Sequence, residues 1–268
     1  MKPIILFRKT LAEEGEFEIA KKYFEVVEQR TLIPENALVI GRYSCLPYYR
    51  ELEQDINNLN STLINTYNEH QYIANFDYYA DIKHITPKTW FSPSEVFMEG
   101  AAGPFVLKGT TNSRKQMWKT AMFAKDKSEM MNVYGRLLDD SLISHQNIII
   151  REFVELENYG TNEITGIPIA KEFRCFFHRN KLLAKGYYWT NHLEEIGFTP
   201  DADEIPPAFL HEITKKVGLN ATFWVADVAQ KKDGSWCVVE INDGQQSGIA
   251  GVNVDELYEN LLKNITLI

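Results

Sequence analysis

Over the first 85 residues, short apolar runs alternate with stretches whose apolar positions recur at helical spacing. Pro3–Phe7 reads as a buried strand, and Phe17, Ala20, Phe24 and Val27 predict a helix over Glu16–Gln29. Ala37–Tyr43 is a second strand, and a helix opens at Pro47 and runs to about Asn57, with proline suited to the first turn. Leu63–Asn65 gives a third strand and Glu69–Ala80 a third helix. This β-α-β-α-β alternation predicts a small parallel α/β domain over residues 1–85.

Thr86-Pro87 and Ser92-Pro93 punctuate a boundary, after which the pattern changes. Beyond it come a strand at Phe105–Gly109 and a polar loop from Gly109 to Lys119. An amphipathic helix over Lys127–Asp140 and an apolar strand over Asn147–Leu156 follow. From Lys171 on, strands dominate: Phe173–His178, Leu182–Trp189, then a helix at Pro207–Val217, a hairpin, and a closing helix at Val254–Asn264. The predicted class is therefore α/β plus α+β, without internal repeats.

The hairpin carries the sharpest chemical signal. Phe223–Gln230 and Ser235–Asn242 are rich in aromatic and β-branched residues and flank Asp233-Gly234, a tight-turn pair. A two-residue loop there places Asp227 directly opposite Glu240. Asn242 then follows on the same face, roughly 7 Å along the strand. Facing carboxylates about 5 Å apart repel each other. Trp224, Val225, Val228, Trp236, Val238 and Ile241 argue for a buried hairpin, where unpaired charge is costly. A cation between the carboxylates removes the penalty, and an all-oxygen set of Asp227, Glu240 and Asn242 suits Mg²⁺ carrying phosphates.

The chain has 268 residues, 44% hydrophobic and 12% aromatic, enough for one large core or two smaller ones. Its net charge of −9 provides no general attraction to nucleic acid or anionic membrane and leaves room for a local basic cleft. Cys45, Cys175 and Cys237 are odd in number and far apart, which suggests buried thiols in a reducing compartment. Met1–Arg8 is too short an apolar run for a signal peptide, and no segment approaches the roughly 18 apolar residues of a membrane span. The expectation is a soluble cytoplasmic protein.

Further residues can carry chemistry. Lys108 ends an apolar strand on the face it shares with Val106, either as a phosphate-holding point charge or as a lysine reaching from a strand end. The loop after it sets Arg114, Lys115 and Lys119 among Thr110, Thr111, Asn112 and Ser113. That composition suits a flap over phosphates or a solvated basic loop. Glu152–Glu157 ends a strong strand and can present backbone groups to a purine edge, with Glu155 or Glu157 toward ribose hydroxyls. Arg174 springs from an apolar strand and needs an anion, either Glu172 or a phosphoryl group; Lys185 lies on the next strand. The six histidines show no metal-binding spacing, and no GxSxG anchors a nucleophilic triad.

In order, Val106-Leu-Lys108, a polar flap, Arg151-Glu-Phe-Val-Glu-Leu156, Glu172-Phe-Arg174, Asp227 and Glu240-Ile-Asn242 resemble the ATP-grasp superfamily over residues 86–268. Gly41-Arg-Tyr-Ser-Cys-Leu-Pro-Tyr-Tyr-Arg-Glu-Leu52 and the Arg/Lys placement look like a phage and bacterial clade of predicted ligases named for two arginines and a lysine. The resemblance implies a pre-grasp domain (1–85), a small grasp subdomain (86–156) and a large one (157–268) with the metal-binding hairpin. It implies that Lys108, with flap residues Lys115 and Lys119, holds phosphates. Glu152, Phe153, Val154 and Glu155 hold adenine, and Asp227, Glu240 and Asn242 hold Mg²⁺. Arg174 and Lys185 stabilise the transferring phosphoryl group. The second phosphate lysine of many members falls on Lys88, or less well on Lys83. The implied reaction turns a carboxylate into an acyl phosphate with ATP and joins it to an amine. Arg8, Arg42 and Tyr43 at strand ends are the candidates for gripping substrate. Alternatives are an RNA-end ligase or phosphotransferase, disfavoured by the acidic chain, and a non-catalytic nucleotide-binding module.

Overall fold

In a computed structural model describing residues 2–45 and 48–266, the first sheet is all parallel, with strand order β2-β1-β3-β4. Its strands are β1 (Lys2–Phe7), β2 (Glu25–Val27), β3 (Ala37–Arg42) and β4 (Thr62–Leu63). The helix expected over Glu16–Gln29 is shorter: α1 spans Glu16–Tyr23, and Phe24 turns extended. Val26 and Val27, stiff at χ1 and suited to a pleated edge, pair with Ile5 and Leu6 instead. α2 spans Tyr49–Asn57, and the proline expected to open it, Pro47, lies outside the described residues. The third predicted helix divides into α3 (Tyr67–Ala74) and α4 (Tyr79–Ile82). Thr66 and Glu69 form a reciprocal capping box that fixes where α3 begins.

A second sheet, in the order β5-β8-β6-β7, comprises β5 (Thr89–Trp90), β6 (Phe105–Gly109), β7 (Phe123–Ala124) and β8 (Ile148–Glu152). Ser92 caps α5 (Pro93–Met98), and Asp126 caps α6 (Lys127–Leu138). Phe105, Leu107, Ile148 and Ile150 pack beneath Met130, Val133 and Leu137 of α6. Val106, Lys108 and Arg151 face the other way, because successive strand residues alternate faces.

The chain then forms a short pair, β9 (Asn158–Thr161) with β10 (Pro168–Ala170). Beyond it lies an antiparallel sheet in the order β12-β11-β13-β14. Its strands are β11 (Glu172–His178), β12 (Lys181–Tyr187), β13 (Phe223–Gln230) and β14 (Trp236–Asp243). α7 (Leu193–Ile196) and α8 (Pro207–Asn220) separate β12 from β13, and α9 (Val254–Thr266) follows β14. One sheet face, with Phe173, Cys175, Trp224, Ala226 and Ile241, packs on α8. The opposite face is apolar at Phe176, Val225 and Phe223, under α1 and α9, and that core also takes in Ile5, Phe7 and Ile40 of the first sheet. Further along, the same face becomes charged, with Glu172, Arg174, Asp227 and Glu240. No described helix is long and apolar enough to cross a membrane.

The hairpin pairs Asp227 with Glu240 as expected, but by a different route. The loop is three residues, Lys232-Asp233-Gly234, closed by Lys231 N–H on Ser235 O at 2.7 Å, and Gly234 takes φ of +84°. The pairs nearest the tip are therefore Gln230 with Trp236 and Val228 with Val238. A β-bulge at Val239 then restores the offset, so that Glu240 faces Asp227 and Asn242 faces Val225.

Candidate active site

Two adjoining cavities lie between the second sheet and the charged face of the β11–β14 sheet. The inner one, about 240 Å³, is lined by Val106, Lys108, Phe153, Val154, Trp189 and Glu240, among others. The outer one, about 550 Å³, is lined by His70, Arg174, Tyr188, Asn242, Gln246 and Ser247, among others. Lys115 and Glu240 line both and so mark where the cavities meet.

Lys108 Nζ reaches across from β6 to donate to Glu240 Oε1, an ion pair that bridges the two sheets. Burial pushes the Glu240 carboxyl up, but Lys108 and Lys115 outweigh it and hold the group below its usual range, so it is ionised. Asp227 is 1% exposed, and Arg174, directly opposite it on β11, grips both its oxygens at 2.8 Å. Arg174 also donates to Gly248 O at 2.8 Å. Of the two partners expected for Arg174, a carboxylate such as Glu172 or a phosphoryl group, a carboxylate is present, and it is Asp227 rather than Glu172. Asn242 Nδ2 donates to Asp227 Oδ2 at 3.3 Å, completing one row of polar groups.

Among the described residues no three His, Cys, Asp or Glu side chains are grouped closely enough for a metal held by protein alone. The donors present, two carboxylates and an amide oxygen, fit instead a hard cation that brings its own phosphate oxygens. Glu240 Oε2 and Asn242 Oδ1 have no protein partner among the described residues, whereas both Asp227 oxygens are engaged by Arg174. Glu240 and Asn242 are the readier ligands.

Lys115 is the second lysine in the cleft. Its Nζ donates to Tyr188 OH at 2.6 Å and stands 4.1 Å over that ring and 5.1 Å over Trp189. The site expected for Lys88 is corrected by this. Lys88 pairs with Glu99 and is half exposed, outside both cavities. Lys119 is exposed and lies along Gly166, whose missing Cβ leaves room for it. Arg114 is tied at 2.7 and 2.8 Å to Asp140, whose carboxyl it holds down near 2.

Lys185 stands opposite Cys175, not Arg174, so strand alternation puts it on the far face of the sheet. There it meets Ala202 O and Asp203 at 2.8 Å, which is inconsistent with contact to a phosphoryl group beside Asp227.

The adenine segment has a local physical basis. Phe153 N–H donates to Pro104 O at 3.0 Å, and proline has no N–H with which to return the bond. Val154 makes no backbone hydrogen bond among the described residues, leaving its N–H and C=O for a ligand edge. Glu152 and Glu155 line the same cavity, and Lys232 N–H on Glu155 O at 3.0 Å fixes the segment to the hairpin tip.

Of the substrate candidates, Arg8 is exposed, and its side chain has no partner among the described residues. Arg42 is 0% exposed and spends its donors internally: on Glu16 Oε1 at 2.7 and 2.9 Å, Tyr43 OH, Ser247 O and Gly244 O. Tyr43 OH in turn donates to Glu16 Oε2 at 2.9 Å. A guanidinium this saturated has nothing left for a substrate, and Arg42 and Tyr43 instead weld the first sheet to the loop after β14.

Sequence reading missed Arg151, which is buried on the cleft face of β8 and donates to Thr86 Oγ1 at 2.7 Å and to the bulged Val239 carbonyl. It also missed Tyr188, Trp189 and His70, and weighed Glu172 only as a partner for Arg174. Burial raises the Glu172 carboxyl to about 7, with Lys115 opposing and Trp189 Nε1 donating at 2.8 Å. Its buried position on the charged face was available from strand parity with Arg174.

Comparison with known proteins bears on the fold. D-cycloserine synthetase DcsG superposes with a TM-score of 0.62 at 12% identity, covering 98% of this chain and 99% of that one. The ATP-grasp ligase PsnB complexed with minimal precursor, Mg and ADP gives 0.58 at 11% identity over 99% and 98%. D-alanine–D-alanine ligase from Bacillus anthracis complexed with ATP gives 0.54 at 13% identity over 97% and 95%. At these identities the likeness is one of fold. No curated protein sequence matches the chain. The sequence profile described as ATP-grasp domain, R2K clade family 3, matches residues 98–261, more than half the chain. The chain therefore belongs to the R2K clade of the ATP-grasp superfamily, an ATP-dependent ligase fold.

Proposed function

We propose that the protein is an ATP- and Mg²⁺-dependent ligase that activates a carboxylate as an acyl phosphate and joins it to an amine. The observation carrying this reading is the Lys108–Glu240 pair, set at the junction of two cavities with Asp227 and Asn242 on the same sheet face. The inner cavity suits a nucleotide. Val154 and the Phe153 carbonyl would meet the base, Glu155 the ribose, and Lys108 and Lys115 the phosphate oxygens. The outer cavity, with Arg174 at its edge, suits the carboxylate and amine. Residues 86–156 and 157–268 would close on the nucleotide, and residues 1–85 would select substrate, with Arg8 as the remaining basic candidate.

Glu240 and Asn242, with Asp227 behind them, would hold Mg²⁺, which neutralises phosphate charge when bound. Arg174 and Lys115 add fixed positive charge where a phosphoryl group would transfer. In-line transfer needs positioning and charge compensation more than covalent help. The carboxylate oxygen attacks the γ-phosphorus and ADP leaves. The amine then attacks the acyl carbon, and phosphate departs with the bonding electron pair.

An ADP-release screen over carboxylates, with hydroxylamine or amines as acceptors, tests the reading. Release of ADP and phosphate that needs both Mg²⁺ and a carboxylate is expected. AMP with pyrophosphate would replace the reading with adenylation, and ATP binding without turnover under every mixture would replace it with a nucleotide-binding module.

A further inference from the structure

The outer cavity contains a pair of side chains for which phosphate chemistry has no use. His70 sits in the first turn of α3, where the Thr66/Glu69 capping box places it against the end of β14. Asp243 Oδ2 lies 3.0 Å from His70 Nδ1, while Asp243 Oδ1 accepts from Asn65 Nδ2 and from Gln245 N–H, each at 2.9 Å. In the tautomer with Nδ1 as the donor to Asp243, Nε2 presents its lone pair. The ring stacks on Tyr49, centroids 4.0 Å apart and planes 15° apart, which fixes its plane. Both His70 and Asp243 line the outer cavity, and Nε2 has no partner among the described residues.

A second observation in the same cavity points to a ligand. Gln246 Nε2 is buried and has no hydrogen-bond partner among the described residues. Such a donor costs free energy unless something occupies the space beside it.

We infer that His70 is the general base for the acceptor amine, with Asp243 as the residue that positions it. The inference rests on the ligase reading above. An amine arrives protonated at neutral pH and cannot attack until it loses a proton. Nε2 takes that proton, giving the imidazolium, which the Asp243 carboxylate stabilises. The free amine forms the C–N bond, the C–O bond to phosphate breaks, and the remaining surplus N–H proton leaves with the phosphate. The charged and titratable groups facing the ring are Asp243 from β14 and Tyr49 from α2. Arg174, Lys115 and Glu240 stand on the other walls of the cavity.

The test compares two acceptors. Hydroxylamine is uncharged near neutrality and traps an acyl phosphate without a base, whereas an amino-acid amine needs one. In His70→Asn, which retains a donor toward Asp243, hydroxamate formation should stay near the parent rate. Amide formation should fall about 10²–10⁴-fold through kcat, with little change in KM for the amine. The gap should narrow as pH rises and the amine deprotonates unaided, and added imidazole should restore part of the activity to His70→Ala. An equal loss of both products, or a loss of neither, overturns the role given to His70. A parent enzyme that forms no hydroxamate with any carboxylate overturns the ligase reading itself, and that failure appears before any variant is made.

Discussion

Replacing Arg42 with methionine removes the donor in five buried contacts and strands Glu16, itself 0% exposed, with only two tyrosine hydroxyls. Taking one partner from a buried ion pair costs about 3–5 kcal/mol, since the remaining charge stays buried without compensation. The Gly244 and Ser247 carbonyls lose their donor as well, so the upper end of that range applies. For a chain of this size each kcal/mol is worth roughly 2–4 °C, giving a fall in Tm on the order of 10 °C. Urea unfolding of the parent, Arg42→Met, Glu16→Leu and the double variant measures this directly. The double variant should recover much of the loss, because the stranded charge disappears with its partner. A single variant melting within about 2 °C of the parent refutes the reasoning. So would intact stability combined with a raised KM for the carboxylate, which would return Arg42 to substrate binding.

Other outcomes separate the two faces of the β11–β14 sheet and probe its buried groups. Lys185→Ala should leave turnover within about twofold, whereas Lys108→Ala should lower kcat by about 10²–10³ by removing a fixed charge and freeing Glu240; equal effects in a steady-state assay would contradict the facing assigned to them. The folded protein holds the Glu172 proton to about pH 7, against 4.5 for the ordinary carboxyl, so the neutral acid's contribution is complete below 4.5 and lost as pH rises to about 7. Glu172→Gln should therefore gain up to about 3 kcal/mol over the parent near pH 8 and nothing near pH 4. A gap between the melting curves that does not change with pH would show that Glu172 is ionised throughout. Cys45, Cys175 and Cys237 are buried thiols pushed up by burial, Cys237 to about 11, so a disulfide reagent should label them only after denaturant is added.

What the sequence discloses here follows the range of the interaction. Alternation along each strand leaves marks in residue types, but Asp227, Glu240 and Asn242 share a face only because the bulge at Val239 offsets the three-residue loop, and neither the loop length nor the bulge was legible. Lys108 and Val106 follow from alternation alone. The Glu16–Gln29 helix failed where Val26-Val27, already β-branched, was absorbed into a helical repeat. Lys185 was misplaced because its face depends on pairing with Cys175 rather than Arg174, a register that no local pattern states. Arg42 and Glu16 are 26 residues apart, and His70 and Asp243 are 173 apart. Contacts at such separation depend on how whole layers stack, and periodicity carries no information about that.

The extra residue at Val239 acts like a phase correction. The three-residue loop by itself would leave Glu240 and Asn242 directed into the apolar layer, and the one-residue step returns them to the charged side. Length changes at the exposed tip therefore differ in kind from changes between Ser235 and Glu240. At the tip, a different loop can be absorbed wherever the strands re-engage in the same step. Nearer the cleft, the loss or gain of one residue would invert every side chain that follows. A hairpin built this way permits drift at its end while holding its acidic row to one orientation.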